Sequence, residues 1–322
     1  MRGRSVLEFG CNSGENALVL AHYGANLTLV EPNMQVIPRL KYLFKRFNLE
    51  KNIVELCNDK ISDFESRHLY DLVLAEGFLF TLSNRDEMLK KICGLLKPEG
   101  FGIISFNDKY GNLLELTRYI ILWKACALAK IGINDSLDVA RQLYEKDFAR
   151  INTSRSFEEW WKDGPLNPSW TYSWSYEEIL SLLNNARFYS SSPKWTSLEH
   201  FRWYKDVSNG NLLEEWKNYL PFFLTGCAIQ KKASPEVTKA VSDFTTGLTK
   251  NMIIDIPLVL DKYLKACGLR DFASEIKAIV KAMKTADTPD KLIATYHKAK
   301  HVRTLWGAPY SYLCFCKDEK DE

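Results

Sequence analysis

The sequence predicts an α/β protein with a mostly parallel β-sheet and helices on both faces. Short apolar runs alternate with helical patterns from Val6 to Asn107, which favours parallel strands joined by right-handed crossovers. The first run stops at a turn between Gly10 and Gly14, and polar residues follow several later runs. With 322 residues, 46% of them hydrophobic, the chain can bury one large core, or one core and a smaller domain.

The first strand, loop and helix predict a ligand site. The loop holds Gly10, Asn12 and Gly14, and Glu8 precedes it by two residues. A helix start after such a loop presents backbone N–H groups and the positive end of the helix dipole, which favours a polar or anionic ligand group. A dinucleotide fingerprint needs three glycines, but Asn tolerates left-handed backbone angles and can replace the middle one. From the glycines alone, a purely structural turn is an equal alternative.

Acidic residues follow the next strands. The second strand, residues 27–30, ends at Glu31, whose carboxylate can accept two hydrogen bonds from a ribose diol. A helical pattern with Lys and Arg on its polar face follows, and then a third strand over residues 53–56, with Asp59 close behind. The apolar run at 70–75 predicts a fourth strand that ends at Glu76.

A helix over residues 87–96, a turn at 97–100 and a fifth strand at 101–106 complete this pattern. Ligands bind at the carboxyl ends of parallel strands, so the polar residues that follow these strands should share one edge of the sheet.

Five segments together resemble the class I S-adenosylmethionine-dependent methyltransferases. They are VLEFGCNSG (6–14), VEPN (30–33), ND (58–59), DLVLAEG (71–77) and LLKPEG (95–100), and their order and spacing match over about the first 110 residues. The resemblance implies a seven-stranded, mostly parallel Rossmann-like methyltransferase sheet. It also implies that the chain is a transferase that uses S-adenosylmethionine and releases S-adenosylhomocysteine.

The resemblance also implies which residues bind the cofactor. In the family, the first loop lies against the methionine carboxylate, the acidic residue after strand two holds the ribose, the loop after strand three contacts adenine, and the loop after strand four lines the methionine end. Carried over by position, these residues are Glu8, Gly10, Cys11, Asn12, Gly14, Glu31, Pro32, Met34, Asp59, Ile61, Glu76, Gly77 and Phe78. Met34 and Ile61 are the expected apolar contacts to adenine.

The chain departs from the family in two small ways and one larger one. Asn12 replaces the middle glycine of the first loop, and Glu99 stands where the family has a glycine after proline. The family also has one or two helices before the first strand that cover the cofactor. Because five residues precede Val6, we expect the cover either to come from elsewhere in the chain or to lie in residues that this sequence does not include.

Substrate recognition is expected in an insertion at about 107–176 and in the residues after it. The insertion begins with helical patterns and continues into a stretch dense in aromatic residues. Trp170, Tyr172, Trp174 and Tyr204 are the predicted substrate-binding residues, since aromatic rings can stack on a planar or sugar-like substrate. Burial of these rings against the sheet is an equal alternative. His200 and Tyr172 are the candidate catalytic residues if the acceptor arrives protonated.

Two segments compete for the seventh strand after a sixth at 187–189. Residues 221–229 need the shorter connection and are preferred over residues 310–316. This choice gives a cofactor-binding domain at 1–232 and a C-terminal extension at 233–322, with four amphipathic helices that act as a lid or a homodimer interface. His297 and His301 have metal-pair spacing, but neighbouring Lys and Arg residues would repel a cation, so no metal site is predicted.

The overall composition of the chain limits which binding partners and which cellular location are expected. The net charge of +3 does not favour a nucleic acid or an anionic membrane. Eight Cys without a C-x-x-C pair favour reduced thiols and a cytoplasmic location, and no apolar run reaches the roughly 20 residues of a membrane span. No signal peptide is recognised.

The predicted function is methyl transfer to an O or N acceptor of a small molecule or glycan by in-line displacement. Two alternatives stay open. One is an S-adenosylmethionine-binding partner subunit without turnover, because no catalytic residue is forced by the sequence. The other is an NAD-dependent oxidoreductase, which the missing third glycine disfavours.

Overall fold

The computed structural model describes residues 1–151, 153, 155–166, 173–183, 186–192, 209–250 and 252–317. The chain divides into two compact units. The sheet unit comprises Met1–Phe106, Tyr176–Leu213 and Tyr310–Glu322, and the helical unit comprises Asn107–Ser175 and Glu214–Pro309. The insertion expected at about 107–176 coincides with the first segment of the helical unit. The boundary expected after residue 232 does not, because the last segment of the chain belongs to the sheet unit.

Seven strands occur among the described residues and form one sheet in the order β3-β2-β1-β4-β5-β7-β6. They are β1 (Ser5–Phe9), β2 (Asn26–Val30), β3 (Ile53–Cys57), β4 (Tyr70–Ala75), β5 (Leu96–Asn107), β6 (Ala186–Ser192) and β7 (Tyr310–Lys317). Strand β1 pairs in parallel with β2 and β4, β2 with β3, and β4 with β5, whereas β6 and β7 are antiparallel. The predicted α/β class and mostly parallel sheet are confirmed.

Helices connect the strands and build the helical unit. In chain order, those described are α1 (Glu15–His22), α2 (Ile37–Arg46), α3 (Arg85–Gly94), α4 (Leu113–Ala129), α5 (Leu137–Phe148), α6 (Phe157–Asp163), α7 (Tyr176–Leu182), α8 (Asn209–Asn218), α9 (Leu220–Thr225), α10 (Pro235–Thr249), α11 (Leu258–Ala266), α12 (Arg270–Thr285), α13 (Pro289–Lys298) and α14 (Lys300–Thr304). None of the described helices is long and apolar enough to span a bilayer.

The preferred assignment of the seventh strand is wrong. Leu220–Thr225 is helix α9, which has Pro221 in its first turn, where a missing N–H breaks no helical hydrogen bond, and ends at Gly226 with φ 78°. The competing segment forms β7, in which Ser311, Leu313 and Phe315 are buried. The argument from connection length fails because the long connection is itself folded into helices.

The predicted turn at residues 97–100 lies inside β5. The register with β4 shifts from Tyr70 opposite Leu96 to Leu72 opposite Phe101, so the intervening residues bulge out of the ladder. Glu99 has φ 59°, the left-handed conformation that the turn needs.

The sheet unit buries its core between β1, β2 and the helices that follow them. Val6, Leu27 and Leu29 are fully buried and cluster with Ala17 of α1 and Leu40 of α2. This packing fixes the carboxyl ends of the strands, and therefore the loops that leave them.

Candidate functional site

A cavity of about 560 Å³ opens at the carboxyl ends of the parallel strands. Its volume lies within the range of roughly 300–1,000 Å³ that is typical of small-molecule sites. The lining comes from the sheet unit, from the loops after β1, β2, β3 and β4 and the start of α3. The residues are Phe9, Gly10, Asn12, Val30, Glu31, Pro32, Asn33, Asp59, Lys60, Ile61, Ser62, Glu76, Gly77, Phe78, Thr81, Leu82, Asn84 and Met88.

Most of the predicted cofactor residues meet in this cavity. Those that line it are Gly10, Asn12, Glu31, Pro32, Asp59, Ile61, Glu76, Gly77 and Phe78. Four others do not. Glu8 and Cys11 are buried, Gly14 packs near Leu40, and Met34 is 71% exposed to solvent. Met34 is therefore a poor candidate for an adenine contact in this conformation.

The first loop has left-handed backbone at three positions. Gly10, Asn12 and Gly14 have φ values of 65°, 49° and 82°, so Asn12 does replace a glycine. At Gly10, a Cβ atom would lie 3.0 Å from Cδ1 of Phe78, and only glycine leaves that space free. The loop therefore brings the backbone close to the cavity wall.

The N–H groups of these three residues are already used within the protein. Gly10 donates to the Val30 carbonyl (2.8 Å) and Gly14 donates to the Cys11 carbonyl (2.8 Å). Asn12 donates to Oε2 of Glu31 (2.7 Å). The expectation of free loop N–H groups is wrong at these positions, because the loop folds onto β2 and onto itself.

Glu31 is held from several directions at the end of β2. Its Oε1 accepts from the Asn33 N–H (2.8 Å) while Oε2 accepts from Asn12, and the side chain is buried. Its backbone N–H donates to the Cys57 carbonyl (3.0 Å), and Nδ2 of Asn58 donates to its carbonyl (2.7 Å). Since a carboxylate offers about four acceptor sites, each oxygen of Glu31 keeps one for a ligand hydroxyl.

Two carboxyl groups near the ends of β1 and β4 have raised pKa values, Glu76 in the cavity lining and Glu8 buried in the strand. Glu8 is 5% exposed, and its Oε2 has no hydrogen-bond partner among the described residues. Burial, together with the negative charges of Glu76 and Glu15, raises the pKa of Glu8 to about 8. Burial also raises the pKa of Glu76. A cation beside them would stabilise both ionised forms.

Sequence reasoning missed lining residues next to the ones it found. Lys60 and Ser62 flank Ile61, and Asn84 and Met88 lie at the start of α3. Following the fourth-strand loop to the next helix would have found the last two, because the N-terminus of that helix faces the same edge of the sheet.

Of the four aromatic residues predicted to bind substrate, Trp174 is the one that lies among the described residues. Trp174 is 1% exposed, and its carbonyl accepts from the Lys109 N–H (2.9 Å) in the helical unit. Its ring is therefore buried, which is the alternative that the sequence left open. Trp170, Tyr172, His200 and Tyr204 lie outside the described residues, and their roles stay predictions.

No metal centre is formed by the part of the chain that the structure describes, since no three His, Cys, Asp or Glu side chains converge there. Nε2 of His297 lies 2.9 Å from the Gln142 carbonyl, and Nδ1 of His301 lies 2.9 Å from Oε1 of Glu275.

A family described as "Methyltransferase domain" matches residues 7–104, the segment that supplies the whole cavity lining. This match supports the predicted resemblance of these residues to the class I S-adenosylmethionine-dependent methyltransferases. The methyltransferase domain thus contains most of β1, all of β2 to β4, most of β5 and the helices between them. The predicted family is confirmed.

Two curated relatives match part of this chain. Both are named ubiquinone biosynthesis O-methyltransferase. The protein from Rickettsia akari (strain Hartford) is 26% identical over 122 residues, which cover 37% of this chain and 47% of the relative. The protein from Rickettsia felis (strain ATCC VR-1525 / URRWXCal2) is 25% identical over 122 residues, which cover 37% of this chain and 49% of the relative. The chain spans about half the length of the curated relatives it matches.

Solved structures of methyltransferases show weak overall likeness. The N-methyltransferase NodS from Bradyrhizobium japonicum WM9, in complex with S-adenosyl-L-homocysteine, is 20% identical and covers 34% of this chain and 55% of its own, with a TM-score of 0.30. The StiE O-MT fragment is 12% identical, and the match covers 99% of this chain and 69% of the fragment, with a TM-score of 0.40. Scores this low do not establish a shared fold, so the family assignment rests on the sequence match.

Proposed function

We propose that the methyltransferase domain binds S-adenosylmethionine in the cavity and transfers its methyl group to an O or N acceptor of a small molecule or glycan. The observation that carries this proposal is the arrangement of three carboxyl groups. Glu31 offers acceptor sites at the end of β2, and Glu8 and Glu76, whose pKa values are raised by burial, lie near the ends of β1 and β4. A ligand with a diol and a nearby cation matches this pattern.

The residues present fit the cofactor at both ends. The free acceptor sites of Glu31 suit the two ribose hydroxyls. Asp59 and Ile61 follow β3 and line the cavity, where a polar edge and an apolar face would meet adenine. Glu8 and Glu76 suit the positively charged methionine end, since a cation offsets the repulsion between them.

The chain contributes mainly alignment to the reaction. When bound, S-adenosylmethionine would supply an electrophilic methyl group on a cationic sulfur. The acceptor heteroatom would form a bond to this methyl carbon as the carbon–sulfur bond breaks, and the sulfur would leave as a neutral thioether. Orientation alone can lower such a barrier by about 7–11 kcal/mol. Glu31 and the Gly10–Phe78 contact would fix the cofactor, so that the methyl group faces one direction.

The finer parts of the proposal have separate support. The names of the two curated relatives support an oxygen acceptor. A lid or homodimer role for the C-terminal helices rests on their amphipathic patterns alone. The predicted cytoplasmic location and the absence of nucleic-acid partners rest on composition.

Equilibrium dialysis of the full chain against labelled S-adenosylmethionine and labelled NAD tests the cofactor. We expect saturable binding of the first and none of the second, and the reverse result would contradict the proposal. Labelled methyl transfer to fractions of a metabolite extract then tests turnover. Binding without transfer to any fraction would favour the alternative of a partner subunit without turnover.

A further inference from the structure

A chain of hydroxyl groups borders the cavity at Gly77. The Gly77 N–H donates to Oγ of Ser105 (2.6 Å), and the hydroxyls of Ser105 and Tyr310 lie 3.1 Å apart. The ring of Tyr312 packs edge to face against the ring of Tyr310. Ser105 is buried in β5 and both tyrosines belong to β7, so two strands of the sheet unit supply these hydroxyl groups.

Tyr310 is the member of the hydroxyl chain that a second ligand can reach. Ser105 is fully buried, whereas Tyr310 is 41% exposed. A Cβ atom at Gly77 would lie 3.7 Å from the Tyr310 hydroxyl, and Gly77 itself lines the cavity next to Glu76. The Tyr310 hydroxyl therefore lies beside Gly77, a lining residue at the end of the cavity proposed for the methionine group.

The hydroxyl of Tyr310 can serve as either donor or acceptor. Burial and the proximity of Tyr310 and Glu76 raise the pKa of Tyr312 to about 12, so Tyr312 keeps its proton at neutral pH. Rotation of the Ser105 hydroxyl lets Tyr310 either accept from Ser105 and donate outward, or donate to Ser105 and accept from outside. Such a group can bind an acceptor hydroxyl before methylation and the ether oxygen afterwards.

Aromatic rings pack against the Tyr310 ring and line the neighbouring cavity wall. Phe80 meets Tyr310 edge to face with ring centroids 6.0 Å apart, and Tyr312 does so at 5.3 Å. Phe78 lies against Gly10 on the cavity wall. Edge and face contacts of this kind favour a planar aromatic guest over a puckered aliphatic one.

We propose that Tyr310 binds the methyl acceptor and that this acceptor is a planar phenol or catechol, whose hydroxyl hydrogen-bonds to the Tyr310 hydroxyl. The proposal rests on the proposed function, because it places the acceptor beside the cofactor. It assigns to β7 a role in substrate recognition in addition to its role in the sheet.

Calorimetric titration of the full chain tests the proposal in two stages. S-adenosylhomocysteine is titrated first, and catechol is then titrated into the saturated protein. We expect catechol to bind, and its affinity to fall about tenfold in Tyr310→Phe, the change produced by one lost hydrogen bond. Tyr42→Phe, which alters an exposed tyrosine on α2, is the matched control and should leave both affinities unchanged.

Two further comparisons keep the proposal open to refutation. cis-1,2-Cyclohexanediol carries the same two hydroxyls without the planar ring and should not bind measurably. In protein labelled with 3-fluorotyrosine, the ¹⁹F resonance that disappears in Tyr310→Phe is the resonance of Tyr310. In the labelled wild type, this resonance should shift when catechol is added.

Each outcome decides a different claim. If S-adenosylhomocysteine fails to bind, the proposed function fails. If it binds but catechol does not, or if catechol binds equally to the wild type and Tyr310→Phe, the inference about Tyr310 is overturned and the proposed function stands. Equal binding of cyclohexanediol overturns the choice of a planar acceptor.

Discussion

Glu8 is the residue whose charge state should control cofactor binding. Its pKa of about 8 in the free protein means that the carboxyl is largely protonated at pH 6.5. A cationic ligand favours the ionised form, so binding at low pH must expel a proton. Affinity for S-adenosylmethionine should therefore rise with pH, by at most about tenfold per unit, and level off above pH 8.

Calorimetry between pH 6 and 9, in buffers of different ionisation enthalpy, measures the released proton. In Glu8→Gln, the part of the pH dependence of affinity that comes from Glu8 should disappear. Any pH dependence that remains in this variant then comes from other groups, such as the amino group of the ligand. An affinity independent of pH, with no proton release in the wild type, would contradict the assignment of Glu8.

Asp71 is a stabilising residue at the opposite end of the strands. Its carboxylate accepts from the Ser5 N–H (2.8 Å), the Ser5 hydroxyl (2.8 Å), Nζ of Lys97 (2.9 Å) and NH1 of Arg4 (3.0 Å). Burial alone would raise the pKa of Asp71, but hydrogen bonds from Lys97, Ser5 and Arg4 outweigh it and hold the pKa well below its usual range. A depressed pKa in the folded state stabilises the fold above the pKa of the unfolded chain.

Asp71→Asn should lower the free energy of unfolding by about 1–3 kcal/mol at pH 7. The difference from wild type should shrink below about pH 4, where the unfolded chain takes up the proton. Urea titration at both pH values measures it. Asp243→Asn, which breaks an exposed pair with Lys239, should change stability by less than about 1 kcal/mol, and an equal loss in both variants would refute the role of Asp71.

At the scale of elements, the pairing of β7 with the rest of the sheet depends on one glycine. A Cβ atom at Gly102 of β5 would overlap with Cζ of Phe315 on β7. Gly102→Ala should therefore destabilise the protein by about 1–3 kcal/mol through overpacking. Combining it with Phe315→Val should recover part of that loss, because the smaller side chain makes room.

A double-mutant cycle by urea unfolding measures the coupling between these two positions, which we expect to be about 0.5–3 kcal/mol. Gly94→Ala is the matched control, since no atom would lie within 4 Å of the new Cβ. Additive effects of Gly102→Ala and Phe315→Val would show that the two strands do not pack as described.

The sequence predicted the individual elements of the first hundred residues well. The fourth strand matches Tyr70–Ala75, and the third differs by one residue, because glycine and polar residues mark where each apolar run stops. The seventh strand was missed because its choice depended on connection length. The contact between Gly102 and Phe315 joins residues that are far apart in the sequence, so local sequence patterns could not predict it.

At the scale of the whole molecule, the chain leaves the sheet unit and returns to it. Removing residues 233–322 would delete β7 along with the helices, so we expect that fragment to lose cooperative unfolding. Removing only residues 318–322 should leave the melting temperature unchanged. Circular dichroism during heating measures both, and a cooperative transition in the shorter fragment would contradict the place of β7 in the sheet.

The division into units was beyond sequence reasoning for the same physical reason. A discontinuous unit is defined by pairings between distant segments, such as β6 with β7, and periodicity reports only local structure. The cavity was easier to predict, because most of its lining residues follow consecutive strands, and parallel strands end at one edge. Trp174 was assigned to substrate because aromatic content alone does not separate a buried ring from an exposed one.

Isothermal titration of S-adenosylmethionine into the wild type and Glu31→Gln tests the central claim most directly. Glutamine keeps one acceptor oxygen and loses the charge, so we expect one site per chain in the wild type and an affinity about 10- to 100-fold weaker in the variant. Glu50→Gln, at an exposed carboxylate outside the cavity lining, should bind as the wild type does. Equal affinity in the wild type and Glu31→Gln, or no binding to the wild type, would contradict the account.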